Sequence, residues 1–276
     1  MTEDTLDRFS LTDRVCVVTG GAGLLGMQHA RAIASADGLP VIWDISQEAC
    51  DAATAQLYEE YHLQVSATVV DIADESAVSS GLDALTKKYG RVDALINNAA
   101  NNPKAEDESK DWARFEHFPM DVWMQDIRVG LTGAFLCSRT LGSWMASHGG
   151  GVILNIASDL GMIAPDQRIY RDPDAVEERQ PVKPVTYSVV KHGLIGLTRY
   201  LATYWPDKGV RANALCPGGI YNSQPDDFVE RLTNLIPMGR MADKDDYTGA
   251  VLFMLSDASR YMNGSVVTID GGRTCW

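Results

Sequence analysis

Short apolar runs alternate with longer stretches of helical periodicity along the whole chain, and this alternation constrains the fold more than any single motif. The runs are VCVVTG (15–20), PVIWDI (40–45), SATVVDI (66–72), ALINNA (94–99), GVILNIAS (151–158), RANALCPG (211–218) and VVTIDGG (266–272). Between them, 24–36, 46–62, 74–89, 119–148, 184–205 and 243–256 carry helical periodicity. Near-continuous apolar runs suit parallel strands covered on both faces. The pattern predicts an α/β fold: a doubly wound, mostly seven-stranded parallel sheet with helices on both faces and right-handed crossovers. Ligands of such sheets bind beyond the carboxyl ends of the strands. The unusual polar clusters all fall there: Gly20–Gly26, Asp44, Asp71, Asn97–Asn98, Ser158 and Pro217–Gly219.

Bulk properties narrow the class. With 276 residues, 45% of them hydrophobic, the chain can bury a sizeable core. It shows no linker-like break in composition, so a single domain over 1–276 is expected. A net charge of -13 argues against nucleic-acid or anionic-membrane partners. The acidic start, MTEDTLDRFS, is not expected to act as a secretory signal, and no run is apolar enough to be expected to span a bilayer. Cys16, Cys50, Cys137, Cys216 and Cys275 are odd in number and scattered, as reduced thiols in a cytoplasmic protein are. The histidines show no metal-ligand spacing, so no metal is expected.

Two segments break the rhythm. Residues 101–118 are polar and charged, and residues 159–185 hold four prolines and many charges. Long connections of this kind are usually functional or disordered.

Gly21, Gly23 and Gly26 spell G-x-G-x-x-G after a predicted strand and at the start of a predicted helix, the context of a Rossmann-type dinucleotide site. Glycine permits a tight turn and close backbone approach to a pyrophosphate, whose charge the helix N-terminus favours. The candidate cofactor residues in this turn are Gly20, Gly23, Leu24, Leu25 and Gly26. Asp44, with Ile45 beside it, ends the second strand, where a carboxylate accepts hydrogen bonds from ribose hydroxyls and repels a 2′-phosphate. No basic residue stands in Asp44–Gln47, which favours NAD over NADP. Asp71, followed by Ile72, is a candidate for the adenine edge or, alternatively, for a helix cap.

YSVVK places Tyr187 and Lys191 one helical turn apart on one face. A nearby cation stabilises phenolate and is expected to lower the phenol pKa, which suits a general base. Tyr204 and Lys208 share this spacing, but Pro206 between them breaks the common face. Ser158, at the end of an earlier strand, favours the first pair, because its hydroxyl can hold the reacting oxygen.

Taken together, these features resemble the short-chain dehydrogenase/reductase family, in its single-domain branch, over nearly the whole chain. The resemblance rests on T-G-x-x-x-x-x-G at Thr19–Gly26, N-N-A at Asn97–Ala99, Ser158, Y-x-x-x-K at Tyr187–Lys191, P-G at Pro217–Gly218 and D-G-G at Asp270–Gly272. It implies that Tyr187 is the acid/base, that Lys191 holds the nicotinamide ribose, and that Ser158 orients substrate. It also implies that Asn97, Asn98 and Ala99 line the adenosine side and that Pro217, Gly218 and Ile220 lie against the nicotinamide carboxamide. The implied activity interconverts a secondary alcohol and a ketone with NAD, in a homotetramer or dimer. An epimerase or dehydratase using transient oxidation, or an NAD-binding sensor without turnover, are the alternatives.

Three departures stand out. The middle glycine of the turn comes one place early, with Leu24 where the family has glycine. Gly130, in GLTGAF, stands where many members carry an asparagine that steadies a water beside the lysine. The stretch from Ser158 to Tyr187 is long and carries Arg168 and Arg171, which suit a carboxylate or phosphate on the substrate; a solvated surface flap is the competing reading. APDQRIY, VGLTGAF and TRYLATYW are similar to stretches of bacterial flagellin-modification and sugar-pathway oxidoreductases, which implies a small, polar, sugar-like substrate.

Overall fold

A computed structural model describes residues 4–101 and 113–276. Seven parallel strands form one sheet in the order β3-β2-β1-β4-β5-β6-β7. They are β1 (Val15–Thr19), β2 (Leu39–Asp44), β3 (Ser66–Val69), β4 (Ala94–Asn97), β5 (Gly151–Ile156), β6 (Val210–Pro217) and β7 (Val266–Ile269). Every expected strand is present. The order reverses between β1 and β4, and such a switch point opens a crevice at the carboxyl ends of the strands.

Alternation along β1 shows why both faces are covered. Val15 and Val17 join a core with Trp43, Leu95, Leu141 and Ile153. Cys16 and Val18 point the other way, into a second core with Ile33, Ile96, Leu215 and Val251. All five residues of β1 are buried, as the near-continuous apolar run requires. Cys16, Cys50, Cys137 and Cys216 are buried free thiols, and Cys275 is exposed.

The helices are α1 (Leu24–Ser35), α2 (Gln47–Tyr61), α3 (Glu75–Tyr89), α4 (Met120–Ile127), α5 (Ala134–Ser147), α6 (Val185–Tyr204), α7 (Asp226–Thr233) and α8 (Thr248–Leu255). Local chemistry sets several ends. Ser46 caps α2 by accepting from the Ala49 N–H, and Asp74 caps α3 by accepting from Ser76 and Ala77. Gly90, at φ +70°, closes α3 in the left-handed conformation. Asp71 is therefore not a cap.

The stretch 119–148, read as one helix from its sequence, is α4 and α5 joined by a π-helical turn, Arg128–Gly133. Two glycines allow it. A Cβ on Gly130 would lie 2.6 Å from Val190 Cγ1, and one on Gly133 would lie 2.6 Å from Ile72 Cδ1. The turn thus packs its backbone directly on α6 and on the loop after β3. π-bulges of this kind are frequent near functional sites.

α6 runs unbroken through Tyr187 and Lys191 and ends at Tyr204, where Pro206 opens a separate 3-10 turn. The second tyrosine–lysine pair is thereby split. Residues 159–185 form three 3-10 turns, pinned by Ile169 packing on Leu232, Ile236 and Met241. Most of the charged segment 101–118 lies outside the described residues. Among the described residues no helix is long and apolar enough to cross a membrane.

Candidate active site

A cleft of about 680 Å³ runs along the carboxyl ends of the strands. One end is built by backbone. Gly20 turns at φ +58°, and a Cβ there would press to 3.0 Å from the Ala99 Cα. A Cβ on Gly26 would sit 2.1 Å from the Gly20 carbonyl oxygen, so only glycine lets α1 start this close to the turn. Gly26 itself is not on the cleft wall, whereas Gly20, Gly23, Leu24 and Leu25 are. α1 begins without a side-chain cap and without an acidic residue in its first turn. An anion is therefore a fitting partner for its N-terminal N–H groups.

The T-G and N-N-A motifs lock together behind this turn. Thr19 Oγ1 donates to the Ile96 carbonyl and accepts from the Asn98 and Ala99 N–H groups. Asn98 Nδ2 donates to the carbonyls of Thr19 (2.9 Å) and Gly20 (3.1 Å). Asn98 and Ala99 line the cleft. Asn97 does not: it is buried and donates to Ser138 Oγ and Asn155 Oδ1, so its place is in the scaffold.

Asp44, Ile45, Asp71 and Ile72 form the far wall. Asp44 accepts from the N–H groups of Ala22 (3.1 Å) and Ile45 (2.8 Å), tying the glycine turn to the end of β2. Asp71 accepts from the Ala73 N–H. Residues of this end fit a dinucleotide: close-approach glycines, an open helix N-terminus and a carboxylate facing the same space.

The other end is built by side chains. Tyr187 donates to Ser158 Oγ at 3.3 Å, and Lys191 Nζ donates to the Ile156 carbonyl at 2.8 Å. Ser158 Oγ in turn donates to Asp159 Oδ1 at 2.8 Å, and Asp159 Oδ2 accepts from Arg273 Nη1 at 2.8 Å. Ser158, Asp159, Lys191 and Arg273 are all buried. Burial pushes the Lys191 ammonium down to about 8. Burial also raises the Tyr187 phenol, with the Asp159 charge adding to the rise and the Ser158 hydrogen bond and Arg273 opposing it. This corrects the expectation of a lowered phenol: the ammonium lies 5.8 Å from the ring centroid and is committed to a carbonyl, so desolvation dominates.

Pro217, Gly218 and Ile220 line the cleft as the sequence suggests. A Cβ on Gly218 would meet the Asp270 Cα at 2.8 Å, which explains why the P-G and D-G-G motifs occur together. The long connection after β5 departs from its reading. Arg168 is held bidentately by Asp166 with its side chain 83% exposed, and Arg171 pairs with Glu177 on the surface. Neither lines the cleft; local carboxylates take both guanidinium groups. The same segment delivers Tyr170 and Lys183 instead, and the C-terminus delivers Arg273. Lys183 Nζ stands 3.9 Å from the Tyr187 ring centroid. Asp159, Lys183 and Arg273 escaped the sequence reading, although two of them adjoin motif residues, at Ser158 and in D-G-G.

Comparison with known proteins agrees with this geometry. The family described as short chain dehydrogenase matches residues 14–170, and that described as Enoyl-(Acyl carrier protein) reductase matches 174–274. The chain belongs to the short-chain dehydrogenase/reductase family. It is 30% identical over 271 residues to a D-threitol dehydrogenase of Mycolicibacterium smegmatis, covering 96% of this chain and 95% of that protein. It is 31% identical over 280 residues to an NADP-dependent mannitol dehydrogenase of Hypocrea jecorina, covering 98% and 95%. A gluconate 5-dehydrogenase structure from Burkholderia cenocepacia J2315, in complex with NADP and tartrate, superposes with a TM-score of 0.85 at 27% identity, covering 99% of this chain and all of that one. The protein is thus an NAD(P)-dependent short-chain oxidoreductase.

Proposed function

We propose that this oxidoreductase uses NAD to interconvert a secondary alcohol and a ketone on a small, polar, polyol- or sugar-like substrate. The observation that carries the reading is the Ser158–Tyr187–Lys191 group standing at one end of a cleft whose other end presents Asp44. The nicotinamide, when bound, supplies the hydride acceptor or donor. Tyr187 moves the proton at the substrate oxygen, and Ser158 fixes that oxygen beside it. Lys191, anchored on the Ile156 carbonyl, holds a ribose hydroxyl and keeps a positive charge near the phenol. Polar walls at Asn222, Gln224 and Tyr170 suit a hydroxylated substrate. The threitol and mannitol dehydrogenase relatives support the same substrate class.

NAD is favoured over NADP by charge. Asp44 presents a carboxylate where a 2′-phosphate would lie, and 44–47 contain no compensating base. Calorimetric titration tests this: wild type binds NAD more tightly, and Asp44→Ala weakens NAD by roughly tenfold while narrowing the gap to NADP. Wild type binding NADP as well as NAD overturns the preference. The substrate reading is tested by following NAD reduction with threitol, mannitol and related polyols. A homo-oligomer, as the family resemblance implies, belongs to the same proposal.

A further inference from the structure

The reaction end of the cleft concentrates positive charge in a chain whose net charge is -13. Three cations line it: Lys183, Lys191 and Arg273. Two of them have protein partners. Lys191 donates to the Ile156 carbonyl, and Arg273 is balanced by Asp159 in a buried ion pair. Lys183 differs. Its backbone N–H is fixed by Gln167 Oε1 at 2.9 Å, and the next residue, Pro184, caps α6, so the side chain is turned back over the Tyr187 ring. Among the described residues no carboxylate pairs with its ammonium. The aromatic face supplies part of what hydration would. That leaves a half-buried ammonium on the cleft wall, where burial, opposed by the Asp159 charge, pulls its pKa down to about 8.

An ammonium held this way, between the general acid and a neutralised guanidinium, is arranged to receive a ligand's charge. The geometry points to Lys183, flanked by Arg273, as the grip for an anionic group, a carboxylate or a phosphate, carried by the substrate. The inference rests on the polyol-like reading above and narrows it to sugar acids or sugar phosphates. It also gives the long connection after β5 a purpose: that segment delivers Lys183 to the cleft, while its two arginines stay on the surface. Electrostatics sets the direction of the effect, because three cations against the single carboxylate of Asp159 leave net positive charge beside a low-dielectric wall, which favours an anion and leaves a neutral polyol unrewarded.

The test uses the NAD-bound protein and two readouts. In turnover, a polyol, the aldonate of the same carbon chain and the corresponding polyol phosphate are compared. Wild type is expected to favour one anionic member by roughly tenfold or more in kcat/KM, and which member wins separates carboxylate from phosphate. Lys183→Gln abolishes that preference through KM, and Lys183→Arg keeps most of it. In binding, tartrate and inorganic phosphate are titrated against wild type and both variants. At least one is expected to bind wild type and Lys183→Arg roughly tenfold more tightly than Lys183→Gln. Equal kcat/KM for charged and neutral substrates in wild type overturns the inference, as does equal anion affinity in all three proteins. If none of the three compounds turns over while anion binding depends on Lys183, the polyol reading falls and the anion site stands.

Discussion

The two ends of the cleft are made differently. The end holding Gly20, Gly23, Asp44 and Asp71 is backbone and carboxylate, and its pieces come from short contiguous motifs. The end holding Ser158, Asp159, Lys183, Tyr187, Lys191 and Arg273 is side chain and net cationic, gathered from the connection after β5, α6 and the C-terminal turn. The first end is constrained by close approach: replacing Gly26 forces a backbone collision at 2.1 Å. The second is constrained by a hydrogen-bonded chain, Tyr187 to Ser158 to Asp159 to Arg273. Backbone constraints leave glycine in the sequence as a visible trace. Side-chain networks leave ordinary polar residues whose meaning appears only when the fold brings them together.

The largest expected effect separates the two ends outright. Tyr187→Phe removes the proton-transferring hydroxyl but leaves the glycine turn, Asp44 and Asp71 untouched. Turnover is expected to fall by at least about a hundredfold, the lower bound for a positioned acid–base group. NAD affinity by calorimetry stays near the wild-type value. Tyr204→Phe, at the exposed end of α6, retains near-normal turnover. Full activity in Tyr187→Phe would remove the mechanism. A large loss of NAD binding in the same variant would instead show that the two ends are not separable.

A smaller effect is expected where the ends meet, at the π-helical turn. Gly130→Asn restores the residue type that the family resemblance calls for, but its Cβ meets Val190 Cγ1 at 2.6 Å. Overpacking of this kind costs about 1–3 kcal/mol. Thermal unfolding should show a lowered Tm for Gly130→Asn, and Val190→Ala in the same chain should recover a large part of it. A Gly130→Asn protein as stable as wild type would mean that α6 moves aside easily.

The same contrast explains what was legible. Strand order could not be read from the runs, nor that the edge strands β3 and β7 are only half-buried, but their number, their parallel direction and the position of Ser158, Tyr187 and Lys191 could, since periodicity and helical spacing are local properties. α7 went unread because Asp226–Thr233 is short and follows a polar loop, and its stability comes from Leu232 packing on Ile169 and Ile236. The π-turn was hidden because Gly130 and Gly133 look like ordinary helix-weakening glycines until Val190 and Ile72 are seen against them. The rise of the Tyr187 phenol was hidden because spacing shows that an ammonium is near, whereas burial decides which electrostatic effect dominates.

The smallest expected effect concerns the residues that sequence and structure place most differently. Arg168 and Arg171 read as substrate-binding because guanidinium groups grip anions and because their segment leads to the active site. In the fold each is already held: Arg168 by both oxygens of Asp166, and Arg171 by Glu177. Asp166 is pushed down to about 2, chiefly by its hydrogen bonds from Arg168. Exposed ion pairs contribute about 0–1 kcal/mol, and these two face solvent rather than the cleft. Replacing both arginines with alanine should therefore leave NAD affinity and KM for the best substrate within roughly twofold of wild type, a change under about 0.5 kcal/mol. The segment's anchor, Ile169 against Leu232 and Ile236, is untouched by the change, so Lys183 keeps its place. Steady-state kinetics of the double variant checks this. A tenfold rise in KM would mean that the surface pairs open during substrate binding and that the segment swings its arginines over the cleft, which would make the substrate end a larger and more mobile structure than the backbone-built end.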